Sequence, residues 1–90
     1  MSQEEKFVKK LKEHPIPNNI RFKEVESFLQ RKGFRRIKTG KTGGSRVKFY
    51  NAEIDCLYTT HEPHPSGIMK RYQISELREK LIEYEVIDIE

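Results

Sequence analysis

Hydrophobic positions along the 90-residue chain change their spacing several times, and each change marks an element. Phe7, Val8 and Leu11 form a short stripe at helical spacing. Ser2 with Glu5 three residues later has the form of a capping box, and Lys9, Lys10 and Lys12 suit the negative end of a helix dipole. This first helix should stop near His14, because Pro15 and Pro17 lack backbone donors and push their preceding residues out of helical geometry. Residues 1–19 therefore read as an N-terminal helix and a Pro/Asn linker, an appendage to a main domain of residues 20–90.

In that domain Phe22, Val25, Phe28 and Leu29 fall on one helical face, and Gly33 can take the left-handed conformation that closes a helix. Residues 34–38 then read as an edge strand. After a loop, Thr39 to Ser45, the apolar Val47 and Phe49 alternate with Arg46, Lys48 and Tyr50, the period of a half-buried strand. Asn51-Ala52 is short enough for a turn, and Ile54 to Thr60 is rich in β-branched and aromatic residues, which predicts a third strand. His-Glu-Pro-His-Pro-Ser-Gly at 61–67 is a loop, and Ile68, Met69 and Tyr72 begin a helical turn. Ser75 is expected to cap a last amphipathic helix near 76–85, with Leu77, Leu81 and Tyr84 inward and Glu76 paired with Lys80. The predicted fold class is α+β: the α-β-β-β-α order of a double-stranded-RNA-binding domain, two helices on one face of a three-stranded antiparallel sheet, plus the extra N-terminal helix.

Composition narrows the function classes. Only 34% of residues are hydrophobic and mean hydropathy is −0.84, yet five Phe and four Tyr can fill a thin core. No apolar run nears the roughly 18 residues of a membrane span, and the polar N-terminus is unlike a leader, so a cytoplasmic protein without membrane partners is expected. Cys56 is the one cysteine and sits in an apolar run, which reads as a small buried hydrophobe. The net charge of +4 hides an uneven distribution: residues 21–48 hold ten basic and two acidic side chains, a local +8 against −4 elsewhere. Such asymmetry fits one face held against a polyanion.

Three motifs carry possible chemistry. Gly40-Lys41-Thr42 looks like the end of a phosphate loop, but Arg35 occupies the place of its first glycine, so a nucleotide cofactor is not expected. His61 and His64 supply two imidazoles where a catalytic zinc needs three protein ligands, so no metal or other cofactor is expected either. As acid–base groups the same two histidines are suited to RNA, because imidazole can accept the proton of a ribose 2′-hydroxyl attacking its neighbouring phosphate. Arg46 follows Gly43, Gly44 and Ser45. There backbone can approach a phosphate closely, a hydroxyl can donate to it, and a guanidinium can grip it in bidentate fashion. Lys38, Lys41, Gly44, Ser45, Arg46 and Lys48, with Arg35 and Arg36, form the expected RNA-binding set.

The run from Phe22 to Gly33-Phe34, then Gly44-Ser45, the strand Val47-Lys48-Phe49, a third strand ending in His61, and a closing helix together resemble the HicA toxins over residues 20–87. The resemblance implies the double-stranded-RNA-binding-like fold, ribosome-independent mRNA cleavage, and a HicB-like antitoxin partner that covers the active surface. In that family a Gly-Ser-His triplet opens the second strand and its histidine is taken as catalytic. Here the triplet is Gly44-Ser45-Arg46. Arginine stays protonated and cannot be a general base, so the role passes to His61, which matches a histidine that often follows the third strand, or to His64. The expected function is a metal-independent mRNA endoribonuclease toxin with His61, His64 and Arg46 as catalytic candidates. Two alternatives stay open: a non-catalytic RNA-binding module, and a domain whose basic face docks an acidic protein.

Overall fold

The computed structural model describes residues 3–37, 46–63 and 66–88. The elements run α1 (Gln3–Lys12), α2 (Phe22–Arg31), β1 (Arg35–Ile37), β2 (Arg46–Asn51), β3 (Cys56–His61) and α3 (Arg71–Glu83). The strands form an antiparallel sheet in the order β1-β2-β3. From α2 onward this is the α-β-β-β-α order expected from the sequence. Among the described residues no helix is long and apolar enough to cross a membrane.

Alternation decides which way each strand faces. Val47, Phe49 and Asn51 of β2 and Cys56, Tyr58 and Thr60 of β3 are buried, while Arg46, Leu57, Thr59 and His61 between them are exposed. The buried side meets the helices: the Phe22 ring of α2 lies 6.4 Å from Phe49, and Phe49 stacks on Tyr58 at 6.4 Å. Among the described residues, the other side of the sheet carries no helix. Ile74, Leu77 and Leu81 bring α3 into the same core.

The N-terminal helix packs into this core. Phe7 and Leu11 are buried in it, and the Phe7 and Phe28 rings lie 4.8 Å apart. Lys32 pairs with Glu4 at 3.1 Å, Lys10 with Glu24 at 3.4 Å, and Arg78 of α3 donates to the Leu11 carbonyl at 3.1 Å. Phe28 and Arg78, the partners of this short Phe7-Leu11 stripe, are distant from it in sequence. Ser2, expected as its cap, lies outside the described residues.

Two ends are set by local chemistry. At the end of α2, Gly33 has φ +97°, its N–H donates to the Gln30 carbonyl at 3.2 Å, and the Phe34 N–H reaches back to Leu29 at 2.9 Å, a Schellman closure. Buried Asn51 locks this end: its Nδ2 donates to the Lys32 carbonyl at 3.0 Å and its Oδ1 accepts the Glu53 N–H at 3.0 Å. The β2–β3 turn is longer than the Asn51-Ala52 pair suggests, running over 52–55. Asp55, at φ 51°, accepts the Tyr50 hydroxyl at 2.6 Å, so β3 begins at Cys56 rather than Ile54. That bond, ahead of burial and the Asp55 charge, raises the Tyr50 pKa above its ordinary value.

Two stability predictions follow from this packing. Leu11→Ala should cost about 2–5 kcal/mol in urea unfolding, as for a fully buried leucine, whereas an appended helix would leave the midpoint unmoved. Burial pushes the Tyr58 pKa up to about 12. The neighbouring Thr60 hydroxyl pulls the other way, but it accepts from Gln73, and no hydrogen bond of good geometry reaches the Tyr58 hydroxyl among the described residues. A raised folded pKa means that the native state holds its proton longer than the unfolded chain. Stability should therefore be unaffected by this group below about pH 10 and decline between about pH 10 and 12. Tyr58→Phe should remove that part of the decline at little cost in neutral buffer, because the lost hydroxyl is unpaired.

Candidate nucleic-acid interface

The uncovered face of the sheet holds most of the described candidates. Register places Arg46 directly opposite His61, Lys48 opposite both Ile37 and Thr59, and Tyr50 opposite both Arg35 and Leu57. Side chains directly opposite one another share a face, with Cβ atoms about 4.5–5.5 Å apart. Arg35, Arg46, Lys48 and His61 thus share one open surface with Tyr50, Thr59 and the exposed Ile37 and Leu57. Three basic side chains and one imidazole are presented there, with His61 opposite Arg46.

The end of β3 is held in place by a side chain that sequence reasoning did not single out. Gln73, buried at 2% exposure, donates through Nε2 to Thr60 Oγ1 at 2.9 Å and to the His61 carbonyl at 2.7 Å. Its Oε1 accepts the Lys70 N–H at 2.9 Å, capping α3. One amide therefore ties the backbone of His61 to the start of the last helix. This also corrects the expected cap: α3 begins at Arg71, five residues before the predicted start, and Ser75 lies inside it. A glutamine reaching back from the third helical position caps as well as a serine, and it leaves a weaker mark in the sequence.

The earlier start sets Lys70 and Arg71 at the positive end of the α3 dipole, where no acidic side chain lies in the first turn. Cations there oppose the dipole, so this end is held by the Gln73 cap and not by its charges.

Other candidates lie elsewhere. Arg36 is opposite inward-facing Phe49, on the helix side, and pairs with Glu26 at 3.0 Å and Glu62 at 3.6 Å. Lys38, Lys41, Gly44, Ser45 and His64 lie outside the described residues. The basic block of 21–48 does not form one surface. Lys23 and Arg31 line a groove between α1 and α2 with Lys6 and Lys10, on the helical layer rather than the open face. Among the described residues no three His, Cys, Asp or Glu side chains gather into a metal-binding group.

A protein-family model described as the HicA toxin of bacterial toxin–antitoxin systems matches residues 22–82, from the start of α2 almost to the end of α3. No curated protein and no solved structure matches the chain.

The clasp gives a direct test. Gln73→Ala would strip partners from the Lys70 N–H, Thr60 Oγ1 and the His61 carbonyl, and should cost about 1–3 kcal/mol in denaturant unfolding. Amide exchange at residues 60–61 and 70–71 should quicken more than in the β1–β2 ladder, and uniform exchange across the sheet would refute the clasp.

Proposed function

The chain belongs to the HicA toxin family, and from that premise we propose that it is an RNA-binding toxin that cuts mRNA by a metal-independent route, using His61 for proton transfer and Arg46 to hold the phosphate. As a toxin of a toxin–antitoxin system it has an antitoxin as its partner. We take that partner to be HicB-like and the site of action to be the cytoplasm.

The supporting observation is the cross-strand pair Arg46–His61 on a sheet face without a helix over it. A phosphodiester laid across β2 and β3 meets the guanidinium and the imidazole together, with Lys48 and Arg35 along the same face for flanking phosphates. In the proposed reaction the ribose 2′-oxygen attacks the adjacent phosphorus while the His61 imidazole accepts its proton. Arg46 donates hydrogen bonds to the phosphoryl oxygens as charge builds on them. The bond to the 5′-oxygen breaks and that oxygen takes up a proton from solvent water, leaving a 2′,3′-cyclic phosphate and a 5′-hydroxyl. Arg46 thus serves a different part of the reaction from the histidine that commonly stands at its position in the family. Gln73 acts as a positioning residue, because it holds the carbonyl of His61 and not its ring.

The replacement of that histidine by arginine also favours a second reading, an RNA-binding module that does not cut. Cleavage of purified mRNA separates the two. The toxin reading expects cyclic-phosphate ends and growth arrest on expression. His61→Ala should then lose cleavage with RNA affinity largely kept, and Arg46→Ala should weaken affinity and lower the salt slope by about 0.7 on single strands. Equal cleavage by His61→Ala and by His64→Ala would remove histidine catalysis. Intact RNA with salt-dependent binding would select the second reading.

A further inference from the structure

The charge on α3 runs opposite to that on the sheet face. Glu76, Glu79 and Glu83 are exposed and spaced three and four apart, so they form a row on one side of the helix. That row, with Lys80, lines a groove whose other wall is Leu57, Tyr58 and Thr59 of β3. None of the three carboxylates is ion-paired among the described residues, and the Lys80 ammonium lies 5.5 Å from the Tyr84 ring.

The opposite wall is a sheet edge. In the order β1-β2-β3 no strand lies against the far side of β3 among the described residues, which leaves part of its backbone to extend the ladder. At the His61 end the Gln73 amide takes a carbonyl, which leaves the Leu57–Thr59 stretch as the open part. Tyr58 lines the same groove, and its hydroxyl, buried and unpaired among the described residues, is near enough to Glu76 to feel its charge.

Charge chooses the occupant. Two copies of this chain paired β3 to β3 about a twofold axis would bring their α3 rows toward one another, three carboxylates facing three. A nucleic acid would meet the same repulsion. An extended segment with lysine or arginine at alternate positions would satisfy the strand edge and the carboxylates together.

We propose that the free edge of β3, flanked by Glu76, Glu79 and Glu83, is a docking site for an extended basic segment of a partner protein, which adds as a fourth strand. The inference is independent of RNA cleavage and stands or falls without it.

The probe is a terminally blocked twelve-residue peptide alternating lysine with valine or threonine. Its control has equal charge but proline at the alternate positions, so that it cannot donate to a ladder. Binding to the full chain is followed by amide NMR and hydrogen exchange. The alternating peptide should slow exchange at Leu57 and Thr59. The triple variant Glu76→Gln, Glu79→Gln, Glu83→Gln, folded as judged by circular dichroism, should bind it about tenfold more weakly, the sum expected of three exposed ion pairs. The proline control should bind at least about tenfold more weakly than the alternating peptide. Equal binding of both peptides, shifts confined to Lys48 and Tyr50, or absence of binding at millimolar peptide would each overturn the proposal. So would concentration-dependent protection of Leu57 and Thr59 without peptide, which would assign the edge to a second copy.

Discussion

The pairing of β2 with β3 is the constraint from which the rest of the molecule follows. Val47, Phe49, Tyr58 and Cys56 must all face the helices, and because side chains alternate with a period of two, a one-residue slip would expose them together. Burial thus selects a register in which Arg46 stands opposite His61. The hydrophobic effect acts on four inward side chains and, as a by-product, fixes the distance between two polar ones on the other face. The side chain at position 46, an arginine on the exposed side of β2, takes no part in the burial that sets this register.

Two buried amides convert this packing into defined ends. Asn51 joins the last strand residue of β2 to the C-terminal carbonyl of α2, and Gln73 joins the last residues of β3 to the first turn of α3. Each saturates backbone groups that a helix end or strand end would otherwise leave without partners, and each is itself almost fully buried. They sit at opposite ends of the β2–β3 hairpin, so both helices are anchored to the sheet by directional bonds as well as by apolar contact.

Helix α2, strand β2 and the inward face of α3 were legible because their periodicity is strong and local: Phe22, Val25, Phe28 and Leu29 in one case, Val47 and Phe49 in another. The start of α3 was not, since its cap is a glutamine within the helix and the residue resembling a cap, Ser75, lies four positions inside. The role of α1 was hidden because a stripe of two or three apolar residues acquires meaning only from the Phe28 ring it meets. The distribution of positive charge was misjudged for a similar reason. A run of cations over 21–48 is continuous in sequence, but α2 carries Lys23 and Arg31 on the helical layer while β2 carries Arg46 and Lys48 on the open face. Of the candidate site, the Arg46–His61 pair could be anticipated as residues, whereas their opposition depends on the β2–β3 turn length, and that turn proved two residues longer than its sequence suggested.

The open face and the β3 edge are adjacent, and this couples whatever binds them. A strand added beside β3 must alternate as β3 does, so every second side chain of the newcomer projects to the same side as Leu57, Thr59 and His61. Side chains there stand within about 5 Å of that row, close enough to occupy the approach to His61 from the edge. With lysine or arginine at alternate positions directed to α3, the side chains that such a segment lays on the sheet face beside Thr59 and His61 are its neutral ones. The intervening groups on the helix side would project toward Glu76, Glu79 and Glu83 instead. An occupant of the edge thus divides its side chains between anchoring on α3 and covering the sheet, and the two-residue period that orients Arg46 toward His61 also determines which of the partner's residues would lie over them.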